Sequence, residues 1–303
     1  MPPRSPLPPR HGLGAAWLRT PDRDRPRPDP WPTMGAWLRD RLPDRVDVTA
    51  MLATERFVYD SGLAVGEEHP YMPHTFVWFH RDLTDETDVP GAIRVVHQDE
   101  RLLVVDKPAF LSSIPRGRHV RQSVVVRLRD ELGLPELSPL HRLDRVTSGL
   151  LMLATERRWR GPYQTLFQEG RVQKTYRALA PVRPELELPV VVRDHLIKRR
   201  GHWQVEVVPG APVNAETLVE LESRVGDFGV YRLTPRTGRT HQLRVHLHGL
   251  GIPIVNDPLY PTVQDIAVGD FSHPLQLLAA ELEFADPLDG TLRQFRSARE
   301  LPL

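Results

Sequence analysis

The sequence predicts an α+β protein in which a mixed, largely antiparallel sheet with flanking helices follows a small N-terminal module. Runs of β-branched or alternating apolar residues, broken by Pro, Gly and Asp, dominate residues 87–303. Helical patterns are fewer in that range, and most of the strand-like runs are separated by turns. Strands that are connected mainly by turns favour antiparallel neighbours, which gives this fold class.

Six runs supply the predicted strands of the main domain: RLLVVDKP, GLLMLAT, KTYRALAPV, HWQVEVVP, ETLVELESRV and FGVYRLTP. Two helices are predicted in SVVVRLRDELG and WRGPYQTLFQEG, which end at Gly133 and Gly170. A glycine at these places suits the positive φ that often terminates a helix.

A third helix is predicted in RTHQLRVHLHGLG. Leu243, Leu247 and Leu250 fall on one face of it, because they follow the spacing i, i+4, i+7. Thr240 is the expected N-cap, and Gly251 is the expected end of the helix.

The amino-acid composition and the apolar pattern change twice along the chain, which predicts three segments. Residues 1–32 contain ten of the 31 prolines and few apolar groups, so residues 1–33 are predicted to be a disordered tail rich in Pro and Arg. Residues 34–86 are predicted to form a small separate module, with Asp60-Ser61-Gly62 as a turn. Residues 87–303 are predicted to be one domain.

Composition excludes some classes of site but does not choose a function. Forty basic and 39 acidic side chains give a net charge of +1, which weighs weakly against a nucleic-acid binder but leaves room for a local basic groove. The chain has no cysteine, so disulfides and cysteine-based metal sites are impossible. With no apolar run long enough for a membrane helix and no secretory signal, a cytoplasmic location is expected.

The segment His141–Leu151, HRLDRVTSGLL, carries the chemistry. It places Asp144 between Arg142 and Arg145, in a turn-like stretch that leads into a buried strand. A nearby arginine favours the ionised form of a carboxylate, and covalent catalysis at a sugar or base carbon needs an ionised, oriented carboxylate. Taken by itself, the pattern is more typical of a surface ion pair.

This segment closely resembles the signature of the RluA-type pseudouridine synthases, and the resemblance implies that Asp144 is the catalytic nucleophile. Three more segments agree in order and spacing, so the similarity covers roughly residues 92–287. They are RLLVVDKPAFLSSIP with Lys107, KTYRALA with Tyr176, and PRTGRTHQLRVHLHGLGIPIVNDPLY. The chain departs from the family where Phe110 and Asn256 replace common glycines and Leu278 replaces a frequent histidine.

The resemblance implies an isomerase that converts uridine to pseudouridine in ribosomal or transfer RNA. Such a reaction needs no cofactor and no metal, and the spacing of His241, His246 and His248 matches no zinc pattern. The target base must be flipped out of the RNA, and Tyr176 is expected to stack on it. Arg244 is expected to hold Asp144, with Arg239 as the second choice.

The residues expected to bind substrate share a position in or beside the family motifs; they are Arg142, Arg239, His241, Gln242 and Lys107. Asp257 is expected to stabilise a turn near the site rather than act as a second catalytic carboxylate. The expected partner is RNA, and the expected oligomeric state is a monomer.

Alternatives remain at this stage. The same scaffold could serve a non-catalytic RNA-binding protein, which has no need for a nucleophile. A glycoside hydrolase or nucleosidase would require a second working carboxylate. Residues 34–86 faintly resemble the ribosomal-protein S-four-like RNA-binding domain, and the competing interpretation is an unrelated extension.

Overall fold

The computed structural model describes residues 3–21, 31–83, 85–117 and 119–301. The chain divides into two compact units, Met1–Thr84 and Asp85–Leu303. Within the described residues, no helix is both long enough and apolar enough to cross a bilayer.

The first unit is a small two-layer structure. Its elements are β1 (Ala16–Arg19), α1 (Met34–Arg41), α2 (Val48–Ala53), β2 (Val58–Tyr59) and β3 (Phe76–Phe79). The strands form an antiparallel sheet in the order β1-β3-β2. Both helices begin at a side-chain cap, since Thr33 accepts a hydrogen bond from Ala36 N and Asp47 accepts one from Ala50 N. Apolar residues of both helices and of β3 form one buried core.

Strand β1 lies inside the segment that was predicted to be a disordered tail, so that prediction is wrong for Ala16–Arg19. The high proline content of the tail masks a short alternating stretch, AWLR, whose burial alternates with period two. Residues 1–2 and 22–30 of the predicted tail lie outside the described residues.

The second unit is built on one large sheet. Its helices are α3 (Val124–Glu131), α4 (Arg157–Gln168) and α5 (Gln242–Gly249). Its strands are β4 (Arg94–Gln98), β5 (Leu102–Lys107), β6 (Ser138–Pro139), β7 (Ser148–Ala154), β8 (Gln173–Pro181), β9 (Val190–Asp194), β10 (Leu196–Ile197), β11 (Glu206–Val207), β12 (Ala215–Val225), β13 (Phe228–Pro235), β14 (Leu277–Ala285) and β15 (Leu292–Arg296).

The sheet is mixed and largely antiparallel, which confirms the predicted class. Its strand order is β4-β5-β7-β14-β8-β13-β12-β9, with β15 beside β14 and β6 beside β7. Among the described strands of this sheet, β7 and β14 pair in parallel and the other pairs are antiparallel. The short strands β10 and β11 form a separate hairpin.

Helices cover the central strands on both faces, which explains their continuous apolar runs. Leu103 and Val105 of β5 point into one core together with residues of α3 and α5. Leu102 and Val104 point into the opposite core, where Tyr163 of α4 packs. A strand that is buried on both faces has no polar side to alternate with, so LLVV reads as one apolar run.

The predicted helices are present, and each is followed by the expected glycine. Gly133, Gly170 and Gly251 all have positive φ, between 63° and 75°. The predicted N-cap of α5 is wrong, because the cap is His241 rather than Thr240.

The predicted strand HWQVEVVP is largely wrong, because it contributes only the two-residue strand β11. Its first residues form the loop of the β10–β11 hairpin. There the Lys198 ammonium donates to the backbone carbonyls of His202 and Trp203, both at 2.5 Å. Residues 202–205 form this loop and are not part of a strand.

Candidate active site

One pocket lies where the loop before β7, the start of β8, the end of β13 and the start of α5 meet. Seven of the eight residues predicted from the sequence line it: Arg142, Asp144, Tyr176, Arg239, His241, Gln242 and Arg244. The structure therefore brings together residues that are up to 102 positions apart in the chain, and it leaves Lys107 out.

Asp144 lies in a tight turn that the core holds in place. Its carbonyl accepts a hydrogen bond from Thr147 N at 3.1 Å. The preceding residue, Leu143, is buried, and both its N–H and its carbonyl bond to the Ser113 hydroxyl, at 3.1 and 2.9 Å. The backbone on both sides of Asp144 is fixed, so its carboxylate has a defined position at the pocket.

Arg244 connects two carboxylates. One guanidinium N–H donates to Asp144 Oδ2 at 3.3 Å, and two others donate to Asp257 at 2.7 and 2.5 Å. The Arg244 side chain is 3% exposed and that of Asp257 is fully buried, whereas Asp144 retains 22% exposure. Although burial lowers the pKa of Arg244, its hydrogen bonds to Asp257 and the nearby carboxylate charges raise that pKa above its ordinary value. The guanidinium is thus a permanent cation beside Asp144.

Asp257 is the anchor of this arrangement. Besides holding Arg244 in a two-point contact, its Oδ1 accepts hydrogen bonds from Leu259 N and Tyr260 N, at 2.8 and 3.2 Å. The Tyr260 ring lies 5.4 Å from the guanidinium carbon of Arg244. The turn-forming role predicted for Asp257 is present, and its contact with Arg244 adds a second role.

Tyr176 stands on the central strand β8, where it pairs with Leu233 of β13 and Ala279 of β14. Burial, together with the negative charge of Asp144, raises the pKa of Tyr176. The phenol therefore stays neutral at physiological pH, and its electrostatic coupling to Asp144 places the two side chains in one environment.

His241 lies on the Asp144 side of the pocket and has a left-handed backbone, with φ of 55°. Its Nε2 lies 3.8 Å from Asp144 Oδ2, and its Nδ1 lies 3.1 Å from the Tyr260 hydroxyl. Burial lowers the pKa of His241 to about 4, although the charge of Asp144 raises it in part. The imidazole is therefore neutral at pH 7 and contributes polarity rather than charge.

Gln242 and Arg239 shape the pocket through internal hydrogen bonds. The Gln242 amide donates to Glu216 O and Thr217 Oγ1 and accepts from Arg239 N, at 2.9–3.0 Å. Its predicted contact with substrate is not supported, because it is 4% exposed and both ends of its amide are occupied. Arg239 donates from Nε to Asn214 O at 3.0 Å and is not the partner of Asp144. Arg142 is exposed at the rim.

The predicted contact of Lys107 with substrate does not agree with its position in the structure. Its side chain is completely buried, and its ammonium donates to the carbonyls of Pro108, Leu111 and Arg145, at 2.8–3.2 Å. Burial lowers the pKa of Lys107 to about 7. Three carbonyl acceptors match the three ammonium hydrogens, so Lys107 ties the Asp144 loop to the end of β5 and has no N–H left for a ligand.

Two of the departures from the family pattern keep the backbone of a glycine. Phe110 and Asn256 have φ of 65° and 60°, a left-handed conformation that glycine adopts most easily. The Phe110 ring lies 5.3 Å from the ring of Phe271, and Asn256 donates to Pro274 O at 3.2 Å. The third departure, Leu278, is buried in β14.

Tyr260 is the functional-site residue that the sequence reasoning missed. Its hydroxyl accepts a hydrogen bond from Val205 N at 2.7 Å and contacts His241, while its ring packs on Arg244. The signal was present, because Tyr260 closes the motif that ends in NDPLY.

Comparisons with known proteins agree with this geometry. A family model described as RNA pseudouridylate synthase matches residues 101–249. The human pseudouridylate synthase RPUSD2 is 37% identical over 174 residues, which are 56% of this chain and 31% of the human protein. The dual-specificity RNA pseudouridine synthase RluA of Vibrio parahaemolyticus is 35% identical over 210 residues, which are 66% of this chain and 80% of that protein.

A solved structure also matches. Human RNA Pseudouridylate Synthase Domain Containing 1 superposes with a TM-score of 0.56 and 25% identity, and the match covers 70% of this chain and 86% of that one. The chain thus spans less than a third of one human relative but four fifths of a bacterial one. On this similarity, the chain belongs to the RluA-type RNA pseudouridine synthases, the isomerases that convert uridine in RNA to pseudouridine.

Proposed function

We propose that this chain converts uridine to pseudouridine at one or more sites in ribosomal or transfer RNA, with Asp144 as the nucleophile. The observation that carries the proposal is the contact between Asp144 and the buried Arg244, 3.3 Å apart, at a pocket that Tyr176 also lines. A charged carboxylate beside a permanent cation at an open pocket is suited to react with a nucleotide that enters from outside.

The reaction rearranges one nucleotide without gain or loss of atoms. The bond between N1 of uracil and C1′ of ribose breaks, the base turns, and a bond between C5 and C1′ replaces it. The proton on C5 leaves, and N1 gains one. Among the described residues, both polar contacts of the Asp144 carboxylate fall on Oδ2, which leaves Oδ1 for the substrate.

Tyr176 supplies the surface on which the flipped base rests. Its raised pKa keeps the ring a neutral phenol, and a neutral aromatic face stacks on a base. Base flipping is required because the reactive atoms of a stacked nucleotide are out of reach.

Asp257 argues for isomerisation rather than hydrolysis. An inverting glycosidase uses a second carboxylate to activate water, and a retaining one uses a second carboxyl group as the acid. Asp257 is fully buried and occupied by Arg244 and two backbone N–H groups, so it is not free for either role.

The arginines at the rim complete the proposal. Arg142 is exposed beside the nucleophile, and we assign it to the backbone of the flipped nucleotide or to the stack that the base vacates. Arg239 uses Nε internally, and its remaining N–H groups are suited to phosphate. His241, neutral and adjacent to Asp144, provides a polar wall for the bound nucleotide.

The decisive experiment measures tritium release from RNA labelled at C5 of uridine. The wild-type protein is expected to release tritium, and Asp144→Asn is expected to release none while it retains the thermal unfolding profile of the wild type. Asp270→Asn, an exposed aspartate outside the pocket, is the matched control and keeps full activity.

Other outcomes would support a different function. RNA binding without any tritium release would mean a non-catalytic RNA-binding protein. Free uracil among the products would mean a glycosidase. Full activity in Asp144→Asn would remove the proposed nucleophile.

The remaining parts of the assignment are proposals of the same kind. Residues 34–86 are proposed to bind RNA as a degenerate S-four-like module. Most of the core of the first unit comes from these residues, and Ala16, Leu18 and Trp31 also pack against it. A cytoplasmic location is proposed because a chain without cysteine suits a reducing compartment. A monomer is proposed as the active form, and light scattering of the purified protein would test it.

A further inference from the structure

The sheet of the first unit has two unlike faces. Ala16, Leu18, Val77 and Phe79 point to the side that packs on the helices and belong to the core of the unit. Because side chains alternate along a strand, the neighbours of these residues point to the opposite side. That opposite side carries Trp17, Arg19, Phe76 and Trp78, which we call the aromatic face.

The residues of the aromatic face touch one another. Trp17 is the register partner of Trp78, and Arg19 is the partner of Phe76. The rings of Trp17 and Phe76 are 5.5 Å apart, and those of Phe76 and Trp78 are 6.4 Å apart in a stacked arrangement. The Arg19 guanidinium carbon lies 5.6 Å from the Phe76 ring centre. The face is thus a continuous strip of three rings with a cation at one end.

The Trp17 side chain is partly exposed to solvent rather than buried in a core. It is 45% exposed, whereas Trp78 beneath it is 3% exposed and donates its ring N–H to Asp60 at 2.6 Å. Together with the neighbouring rings of Phe76 and Trp78, the half-exposed indole forms a contiguous aromatic surface, and contiguous apolar surfaces are typical of interaction sites.

The strand that carries Trp17 is firmly held. Thr20, directly after β1, is buried, and its hydroxyl accepts from Thr75 N and donates to Met72 O, each at 2.7 Å. The aromatic face is therefore preorganised, and little conformational entropy would be lost when a ligand stacks on it.

Charges of both signs lie near the strip, since the Asp60 carboxylate accepts the ring N–H of Trp78 and an arginine lies over Phe76. Arg19 lies over Phe76, with Nη2 3.2 Å from His74 Nδ1. Burial lowers the pKa of His80, the residue that follows β3, and the positive charge of the nearby Arg10 lowers this pKa further. Aromatic rings flanked by arginines complement nucleic acid, because bases stack on the rings while the cations meet phosphate.

We propose that the aromatic face binds unpaired nucleotides of the RNA substrate by stacking bases on Trp17 and Phe76, with Arg19 at the backbone. The inference rests on the proposed action on RNA and adds a second contact surface, built on a strand that precedes residues 34–86. Stacking on a ring tolerates any base, so the surface contributes affinity rather than the choice of uridine.

The test uses the full-length protein and a short fluorescein-labelled oligoadenylate, which offers no uridine to the pocket. Fluorescence anisotropy is expected to show that Trp17→Ala weakens binding roughly tenfold or more, as the loss of one stacked base predicts. Trp17→Phe is expected to retain most of the affinity, since it keeps an aromatic face. Leu63→Ala, an exposed apolar residue off the aromatic face, is the control and leaves binding unchanged.

A second variant keeps the test valid if Trp17→Ala fails to fold. Arg19→Glu keeps all three rings and is expected to weaken binding most at low salt, where phosphate contacts are strongest. Unchanged oligoadenylate affinity in both Trp17→Ala and Arg19→Glu would overturn the proposal. So would self-association of the wild type that Trp17→Ala abolishes, because the face would then bind a second copy of the chain.

This test is separate from that of the enzymatic function. Tritium release depends on Asp144, whereas oligoadenylate binding is read without any reaction. A variant that loses oligoadenylate binding can therefore retain tritium release, and a variant that loses tritium release can retain oligoadenylate binding.

Discussion

At the scale of single residues, Arg244 has two functions that cannot be separated. It is the cation beside Oδ2 of the partly exposed Asp144, and it is also the sole side-chain ion-pair partner of the fully buried Asp257 among the described residues. Removing one member of a buried pair leaves an uncompensated charge, which is strongly destabilising. Replacing Arg244 is therefore expected to harm the fold as well as the reaction.

Arg244→Met is therefore expected to abolish most turnover and to lower the free energy of unfolding by about 3–5 kcal/mol. The double variant Arg244→Met with Asp257→Leu is expected to regain part of the lost stability and none of the activity, because an apolar pair no longer buries a lone charge. Urea unfolding and tritium release measure the two effects. Wild-type stability in the single variant would contradict the assigned role of the pair.

His241 makes a prediction about pH. Its pKa is about 4 in the folded protein, against 6.5 for an ordinary histidine. As pH falls from 6.5 towards 4, the unfolded chain takes up a proton that the folded chain does not, so stability decreases in that window. The expected loss from this residue is about 2 kcal/mol between pH 7 and pH 5.

The measurement compares wild type with His241→Asn, since asparagine tolerates the left-handed backbone at this position. Urea unfolding at pH 7 and pH 5 should show a smaller loss of stability in the variant. An identical loss in both proteins would mean that His241 is protonated in the folded state.

At the scale of secondary-structure elements, the parallel pair β7 and β14 places the Asp144 loop beside the central strands. Gly149 makes their close approach possible. It has φ of 106°, and a Cβ there would lie 2.6 Å from Ala279 N and closer still to Ala279 O. The Thr-Ser-Gly part of the signature is thus a packing requirement between two strands.

Gly149→Ala is expected to destabilise the protein by roughly 3 kcal/mol or more, because backbone atoms must move apart. Gly249→Ala is the matched control: it lies at the exposed end of α5, a Cβ there meets nothing within 4 Å, and its φ is not positive. The control is expected to change stability by less than about 1 kcal/mol. Thermal unfolding of both variants checks the contrast.

At the scale of the whole molecule, the two units have separate cores, and Glu86 marks where the second begins. Its carboxylate accepts hydrogen bonds from the backbone N–H groups of Val120, Arg121 and Gln122, at 2.8–3.1 Å. The segment directly after the boundary is therefore part of the catalytic unit and not a linker.

A chain that begins at Asp85 is expected to fold and to retain tritium release on a short RNA. A chain that begins at Thr87 lacks the Glu86 carboxylate and is expected to be about 1–3 kcal/mol less stable. Urea unfolding of the two truncated proteins compares them directly. Equal stability would show that the Glu86 contacts contribute nothing measurable.

The class of the fold could be predicted from the sequence because it depends on local patterns, whereas the pocket residues were predicted from the resemblance to a family. A buried strand is visible in the sequence as an apolar run. The family motifs indicated that Arg244 is the partner of Asp144, although the two residues are far apart in the chain. The hydrogen-bond partners of Lys107 and Gln242 could not be predicted in this way. Whether a polar side chain meets RNA or a set of backbone carbonyls depends on which loops converge, and spacing along one chain does not specify that.

The placement of Arg244 between two carboxylates has a consequence for protein engineering. A library screened for heat resistance alone is expected to retain Arg244 wherever Asp257 is retained, because an apolar replacement of the arginine by itself leaves the buried Asp257 carboxylate without its ion-pair partner. Only a simultaneous apolar replacement of Arg244 and Asp257 avoids the lone buried charge, and that double variant is expected to be inactive. Thermostable versions of this enzyme should therefore be sought in surface loops and helix ends, with the triad of Asp144, Arg244 and Asp257 held constant.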